Sequence, residues 1–275
     1  MMRLAGIVLY NPDLNRLKEN VDAISPQVDE VLFVDNHSGN LQIIKDVFLG
    51  EKFSFIENNE NLGIAKALNQ ICEYAFNNGY YWVLTLDQDS VVCDNIISTY
   101  NNYIGDDNLG LLTCRIVDRN FIENEPEDIE VCKVNTAITS GSYVRVNAWR
   151  KIGGFDERMF IDFVDNDFCT TLIENHYEIL KVYSTNILHE LGRSRRLKFL
   201  KGQVIYNHSA FRYYHLTRNR IYYARKHRKS VSVLRNILAV SWRALLILFF
   251  ESNKRKNLQA IIRGYGDGFR MKIYE

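Results

Sequence analysis

Short apolar runs alternate with segments of helical periodicity over residues 1–90, and this alternation restricts the fold more than any other feature. The apolar runs cover residues 6–10, 31–34, 53–56 and 81–86. Asp13 can cap a helix after the first run, and apolar residues then recur at spacings of three and four: Leu14, Leu17, Val21 and Ile24. Helices are also predicted at 41–49 and after residue 63. The pattern predicts an α/β protein with a mostly parallel central sheet flanked by helices.

Polar residues follow each of these predicted strands at the point where the strand ends. They are Asn11, Asp35 with Asn36, the loop 58–61, and Asp87 with Asp89. In open parallel sheets, ligands bind at the carboxyl ends of the strands. The sequence therefore predicts a ligand site along one edge of the sheet.

Asp87-Gln88-Asp89 stands at the end of the most apolar of these strands. Two carboxylates separated by one residue can share a divalent cation, or divide between a metal and a ribose. Mg²⁺ and Mn²⁺ prefer oxygen ligands, and Mg²⁺ is usually held by one or two carboxylates together with substrate phosphates. A solvated acidic turn is the competing interpretation, and the strand-end position favours the metal site.

A second group of carboxylates, Asp162, Asp165 and Asp167, lies where a helix is predicted to begin. Neighbouring carboxylates repel one another, which raises the pKa of at least one and makes it a candidate general base for an acceptor hydroxyl. Acidic residues are also common in the first turn of a helix, where its dipole stabilises them. That alternative accounts for Asp167 better than for Asp162, which lies between apolar neighbours.

Two further features are compatible with the same chemistry. His189 follows a strand-like segment and is either a structural histidine or an imidazole that completes the metal site. Residues 207–223 interleave basic and aromatic side chains, as in sites that clamp phosphate and stack on rings. A solvated basic helix and a nucleic-acid-binding surface remain alternatives for this segment.

Charge is divided unevenly along the chain. Residues 193–275 carry 20 lysines and arginines against 3 acidic residues, although the whole chain has a net charge of only +1. Such a segment is expected to face an anionic partner. Within it, the apolar run 244–250 is shorter than the ~20 residues that cross a bilayer. Its basic flanks suit a helix lying in the membrane interface, and a core or dimer helix is the alternative.

The five scattered cysteines form no CxxC pair and fit reduced thiols, and the N-terminus does not have the pattern of a signal peptide. We therefore expect a cytoplasmic protein at the cytoplasmic face of a membrane.

These motifs, in this order, resemble the inverting glycosyltransferases of family 2 with the GT-A fold, and among them the bacterial rhamnosyltransferases of cell-surface polysaccharide synthesis. The resemblance rests on VLYNP (8–12), VDNHS (34–38), NLGIAKALN (61–69), WVLTLDQDS (82–90), ITSGS (138–142), IGGFDE (152–157), and the segments 160–169, 189–192 and 208–223. It implies a GT-A domain over 1–230, with a nucleotide-binding half at 1–90 and an acceptor half and donor-closing segment at 91–230. A helical, basic extension follows at 231–275.

The resemblance also implies roles for individual residues. Tyr10, Asn11 and Asp35 would hold the base and ribose, and Asn61 and Lys66 would lie near the nucleotide. Asp87, Asp89 and His189 would bind the metal, with Asp87 also meeting the ribose–diphosphate. Arg212, Tyr214 and Arg218 would contact the leaving diphosphate. Asp165 would be the base, but Val164 stands where the family has an acid, so Asp162 stays an alternative. Leu68 replaces an arginine common in the family, for which Lys66 would substitute.

The implied reaction is a single displacement with inversion, assisted by Mg²⁺ or Mn²⁺. The donor would be a nucleotide-diphosphate sugar, specifically dTDP-L-rhamnose, and the acceptor a saccharide or lipid-linked saccharide. Contact with the inner-membrane surface is expected and nucleic acid is not, while the oligomeric state is left open. The competing classes are a metal-dependent nucleotidyltransferase, for which the Gly-rich phosphate loop is missing after the first strand, and a basic nucleic-acid-binding protein.

Overall fold

The computed structural model describes residues 2–118, 129–189, 195–197, 203–205 and 207–273, with backbone alone for Asp118 and the segments 195–197 and 203–205. The chain divides into two units. The first contains Met1–Arg158 and Val164–Glu190, and the second contains Met159–Phe163 and Leu191–Glu275. The predicted boundary at residue 230 does not coincide with this division, because the helix that ends at Lys226 packs with the helices that follow it.

Over its described residues, the first unit is built on a sheet of nine strands. They are β1 (Leu4–Leu9), β2 (Glu30–Asp35), β3 (Phe53–Glu57), β4 (Trp82–Asp87), β5 (Val91–Val92), β6 (Leu109–Asp118), β7 (Val131–Lys133), β8 (Ser142–Arg145) and β9 (Glu178–His189). Their order is β3-β2-β1-β4-β8-β6-β9-β5, with β7 paired to β9.

The sheet has a parallel half and a mixed half. Strands β3, β2, β1 and β4 are all parallel. Strand β8 then runs antiparallel to both β4 and β6, whereas β6 and β9 are parallel to each other. The predicted central sheet flanked by helices is confirmed, but parallel pairing is less extensive than expected. The reason is that the second half lacks the strand–helix alternation that imposes parallel crossovers.

Among the described residues of the first unit, six α-helices occur: α1 (Leu14–Ile24), α2 (Leu41–Val47), α3 (Ile64–Asn77), α4 (Ile96–Asn101), α5 (Val146–Lys151) and α6 (Val164–Glu174). The predicted cap of α1 is confirmed, since Asp13 Oδ1 accepts from the backbone N–H groups of Asn15 and Arg16, both at 3.0 Å. Helix α3 lies directly on β1. A Cβ atom on Gly6 would come within 2.3 Å of Ile71, so this close approach requires glycine.

In the part of the second unit that the structure describes, there is a hairpin of β10 (Arg195–Leu197) and β11 (Gln203–Ile205), with the helices α7 (Ala210–Lys226), α8 (Val233–Phe250) and α9 (Lys254–Arg270). Helices α7 and α9 approach closely where α9 carries glycines. A Cβ atom on Gly264 would lie 2.5 Å from the carbonyl oxygen of Tyr214, and one on Gly268 would lie 2.6 Å from that of Arg218. The buried Glu251 accepts from the hydroxyl of Tyr213 at 2.6 Å, which ties the end of α8 to α7.

Helix α8 presents an apolar stripe to solvent: Leu234, Leu238, Trp242, Leu245 and Phe249, each between 47% and 67% exposed. Among the described residues, α8 is the one helix long and apolar enough, by length and composition, to span a membrane. The seven-residue run had indicated a segment too short to cross. The helix is longer than that run because its two arginines do not interrupt the helical backbone.

Candidate active site

The turn after β1 joins two strand ends at the carboxyl edge of the sheet. The backbone N–H of Tyr10 donates to Gln88 Oε1 at 2.8 Å, which ties this turn to the DxD segment. Asn11 adopts a left-handed φ of 47°, and its Oδ1 accepts from the backbone N–H of Gly39 at 2.8 Å. Thus Asn11 holds the turn after β1 against the loop after β2, while Tyr10 is 51% exposed.

Asp35 ends β2 and is fully buried. Its Oδ2 accepts from the backbone N–H of Ser38 at 2.8 Å, but its Oδ1 is buried without a hydrogen-bond partner among the described residues. A buried acceptor without a donor is costly unless a ligand supplies one. The role predicted for Asp35, holding the base and ribose, stays a prediction.

Asn61 and Lys66 both have partners within the protein. Asn61 Oδ1 accepts from the backbone N–H of Gly63 at 2.9 Å and so shapes the entry to α3. Lys66 Nζ lies 3.1 Å from Glu157 Oε1, an exposed ion pair.

Asn69, one turn further along α3, was not predicted and is the better connected residue. Its Nδ2 donates to the carbonyl of Phe155 and to Glu157, and its Oδ1 accepts from Trp149 Nε1 and the backbone N–H of Phe155. All four groups that it meets lie more than 75 residues away in sequence. Nothing in the local pattern could therefore reveal its role, apart from its position next to the predicted nucleotide segment.

Asp87, Asp89 and His189 come together as predicted. One potential ligand atom from each residue lies within 4.8 Å of the other two, so the three side chains could hold a metal ion. Asp89 Oδ1 is 4.0 Å from His189 Nδ1. The strand pair β5–β9 makes this possible, because it brings the end of β9 next to the segment that follows β4. Two carboxylates and an imidazole suit Mn²⁺ or Mg²⁺, with remaining positions left for phosphate oxygens and water.

A network of side chains that the sequence analysis missed supports this cluster. Ser90 Oγ lies 2.8 Å from His189 Nδ1 and accepts from Ser140 Oγ at 2.7 Å. The backbone N–H of Asp87 donates to Ser140 Oγ at 3.0 Å, and Asn20 Nδ2 donates to the carbonyl of Asp87 at 2.7 Å. Asn20 carried a readable signal, since it is a polar residue on the apolar face of α1 and is fully buried. Such outer contacts orient metal ligands.

Electrostatics indicate that Asp87 is unfavourably ionised without a cation. Burial raises the pKa of Asp87 to about 6, His189 opposes that shift, and the negative charges of Asp89 and Asp165 add to it. A divalent cation would favour the ionised form of Asp87, because its positive charge compensates the negative charges of Asp87, Asp89 and Asp165. The donor set and its charge therefore fit a divalent metal cofactor.

Asp165 lies in the first turn of α6, where its Oδ1 accepts from the backbone N–H of Asn166 at 2.9 Å. It is near enough to Asp87 for its charge to raise the pKa of that residue. Asp167 is buried in the same turn. The charge of Asp165 therefore acts on the metal cluster, and its role as the base stays a prediction.

Asp162 belongs to the second unit and is held differently. Its Oδ1 is 3.2 Å from Arg212 Nη2, and Asn219 Nδ2 donates to its carbonyl at 3.0 Å. Asp162 and Phe163 both adopt left-handed conformations, with φ of 63° and 67°. Burial raises the pKa of Asp162 and the Arg212 guanidinium opposes the rise. Two consecutive residues in this region are strained, and the hydrogen bonds to Arg212 and Asn219 stabilise them.

Tyr214 and Arg218 contact each other on α7. The Tyr214 hydroxyl donates to Asp267 Oδ2 at 3.0 Å, and the Arg218 guanidinium lies 5.6 Å from the centre of the Tyr214 ring. The predicted contacts of Arg212, Tyr214 and Arg218 with a diphosphate stay predictions.

A sheet whose carboxyl edge carries an Asp–Asp–His cluster that could hold a metal defines the class: a metal-dependent transferase for nucleotide-diphosphate sugars. The chain belongs to glycosyl transferase family 2, whose profile matches residues 5–171. The predicted family and glycosyltransferase activity are thereby confirmed.

The known proteins that this chain resembles agree with that membership. A Shigella flexneri protein described as dTDP-rhamnosyl transferase RfbF is 27% identical over 283 residues, which cover 97% of this chain and 95% of that protein. The structure of S. aureus TarS 1-349 in complex with UDP-GlcNAc is similar with a TM-score of 0.64 and 15% identity, covering 98% of this chain and 81% of that one. The structure of GalNAc-T7 with UDP, GalNAc and Mn²⁺ is similar with a TM-score of 0.63 and 12% identity, covering 82% of this chain. This chain spans 48% of the GalNAc-T7 chain. The likeness to both structures confirms the predicted GT-A fold.

Proposed function

We propose that this protein transfers L-rhamnose from dTDP-L-rhamnose to a hydroxyl of a growing polysaccharide or lipid-linked oligosaccharide, with inversion at the anomeric carbon. One observation carries the proposal. The Asp87–Asp89–His189 cluster lies at the carboxyl edge of the sheet in a chain that matches a dTDP-rhamnosyl transferase over almost its whole length.

The donor nucleotide would bind along the ends of β1 and β2. Asp35 Oδ1, buried and without a donor of its own, would accept from the thymine imide. The exposed Tyr10 ring would stack on the base, and Asn11 would hold the loop that borders it. Asn61 and Lys66 would border the nucleotide from the start of α3. Lys66 would then leave its ion pair with Glu157 and bind a phosphate. Because that ion pair is exposed, breaking it costs little free energy.

The transfer would be a single displacement. When bound, the divalent cation compensates the charge that builds on the departing diphosphate. Asp165 takes the proton from the acceptor hydroxyl, and the oxygen forms a bond to the anomeric carbon. The bond from that carbon to the β-phosphate oxygen breaks, and its electron pair leaves with dTDP. Asp165 is favoured over Asp162 as the base, because its charge is coupled to Asp87 while Asp162 is paired with Arg212.

Donor selectivity is tested by binding and by product analysis. Calorimetry with Mn²⁺ should show tighter binding of dTDP-L-rhamnose than of UDP-GlcNAc or UDP-galactose. The Asp89→Ala variant should lose the metal-dependent part of the affinity and keep its circular dichroism spectrum, because Asp89 follows a strand end and is outside the core. Preferential binding of a UDP-sugar would show that the donor is not dTDP-rhamnose.

We also propose that residues 231–256 associate with the cytoplasmic face of the membrane. The exposed stripe of α8 and the Lys254-Arg255-Lys256 segment that follows support this, since apolar burial and attraction to anionic lipid add together. Sedimentation with anionic vesicles should show binding that weakens as salt increases. Protein that stays in the supernatant with anionic vesicles at low salt would contradict the association.

A further inference from the structure

The side chain of Gln88, the middle residue of the DxD segment, is paired with the backbone of Tyr10. Its Oε1 accepts from the backbone N–H of Tyr10 at 2.8 Å, and its Nε2 donates to the carbonyl oxygen of Tyr10 at 3.4 Å. The register of β1 with β4 ends at the pair Val8 and Asp87. The Gln88 amide therefore continues the contact between these two strands beyond their ends, with a side chain in place of a backbone group.

Further hydrogen bonds connect the turn after β1 to the loop after β2. The backbone N–H of Asn11 donates to Ser38 Oγ at 2.8 Å, and the backbone N–H of Ser38 donates to Asp35 Oδ2 at 2.8 Å. Asn11 has a left-handed φ of 47°, a conformation that asparagine adopts more readily than most residues. Because Tyr10 and Asn11 share a peptide bond, a continuous set of contacts joins Asp35 to Gln88.

The two ends of this set meet different parts of the donor site. At one end, Asp35 is the residue proposed to accept from the base, and its Oδ1 has no donor among the described residues. At the other end, Gln88 lies between Asp87 and Asp89, the carboxylates of the metal cluster. A cation held by both carboxylates restricts the backbone on either side of Gln88, and thereby the side chain that meets Tyr10. Two ligands that favour the same arrangement of the protein bind cooperatively.

We propose that Gln88 is a positioning residue that couples metal binding to recognition of the nucleoside part of the donor, by holding the turn that carries Tyr10 and Asn11. This inference rests on the proposed nucleotide site at the ends of β1 and β2, and it does not depend on which sugar is transferred. Glutamine supplies both the donor and the acceptor that a peptide group requires, whereas an ionised glutamate of the same shape supplies only acceptors.

Thymidine and uridine are the probes for this coupling, because a nucleoside has no phosphate through which it could bind the metal directly. Their affinities for the full chain are measured by calorimetry in EDTA and in saturating Mn²⁺. In the wild type, Mn²⁺ should tighten nucleoside binding about two- to tenfold, the range that corresponds to one hydrogen bond. The nucleoside should tighten Mn²⁺ binding by the same factor, since coupling between two binding sites is reciprocal.

Three variants locate the coupling. Gln88→Met keeps a similar shape without the amide, and it should bring the factor close to one while the protein still binds Mn²⁺. Ser38→Ala removes the acceptor of the Asn11 N–H at the other end and should also lower the factor. Gln42→Met is the matched control, because Gln42 is exposed on α2 and donates to Asp46 of the same helix at 3.0 Å. It should keep the wild-type factor.

An equal effect of Mn²⁺ on nucleoside affinity in the wild type and Gln88→Met would overturn the proposal. No effect in the wild type, or an equal loss in Gln42→Met, would do the same. If Gln88→Met loses its circular dichroism spectrum, Ser38→Ala decides, and an unchanged factor in that variant rules out the coupling. A wild type that binds neither nucleoside would contradict the nucleotide site itself and the coupling with it. Coupling with uridine but not with thymidine would support the role of Gln88 and show that the donor is not a dTDP-sugar.

Discussion

Asp87→Asn should make the metal-free protein more stable at neutral pH while removing its ability to bind metal. The pKa of Asp87 is raised from 3.8 to about 6 by burial and by the neighbouring carboxylates. The folded protein therefore holds this proton more tightly than the unfolded chain. The contribution of Asp87 to the free energy of unfolding is therefore largest below pH 4, and it falls as the pH rises to about 6.

The size of the effect follows from the shift. Each pKa unit corresponds to about 1.4 kcal/mol, so the largest effect is about 3 kcal/mol. Because the Asp87 side chain is only partly buried, we expect a smaller effect. The difference in the free energy of unfolding between variant and wild type should change by roughly 1–2 kcal/mol from acidic to neutral pH, or about 2–8 °C in Tm. Asparagine has almost the same shape and cannot ionise, so it removes the penalty and leaves the packing unchanged.

The assay is thermal unfolding of wild type and Asp87→Asn in EDTA between about pH 4 and pH 8. The difference in the free energy of unfolding should be near zero at the acidic end and favour the variant above pH 6. Adding Mn²⁺ should reverse the order, since only the wild type gains stability from binding. A variant that is less stable than wild type at pH 7.5 in EDTA, or a difference independent of pH, would refute the reasoning.

Three further predictions test other parts of the molecule. Asp165→Asn should lower turnover by ~10²–10⁴-fold while donor affinity is kept, and Asp162→Asn should retain more activity; steady-state kinetics with calorimetry would show the reverse ranking if Asp162 is the base. Gly264→Ala should destabilise the second unit by about 1–3 kcal/mol, because its Cβ would overlap α7, whereas Gly266→Ala faces open space and should stabilise by about 0.5–1 kcal/mol. Asn69→Ala should reduce the unfolding free energy by about 2–4 kcal/mol in urea, since its four hydrogen bonds would be lost, and a change below about 0.5 kcal/mol would show that the network contributes little.

The parallel half of the sheet could be predicted because its information is local. Each strand from β1 to β4 is a short apolar run, each helix between them shows its own period, and the cap at Asp13 needs only the next three residues. Parallel strands share one carboxyl edge, so the predicted strand ends also placed Asp35 and Asp87 in the same region. Local periodicity thus determined both the first half of the fold and the position of its site.

The remaining features depend on contacts between residues far apart in the chain. The pairing of β5 with β9 brings His189 to a cluster whose other members lie about 100 residues earlier. The support that Asn20 and Ser140 give to Asp87, and the pairing of Asp162 with Arg212, likewise join distant segments. Only the tertiary structure decided these features, because hydrogen bonds between distant residues form where packing brings the backbone together, and no local period encodes which partners meet.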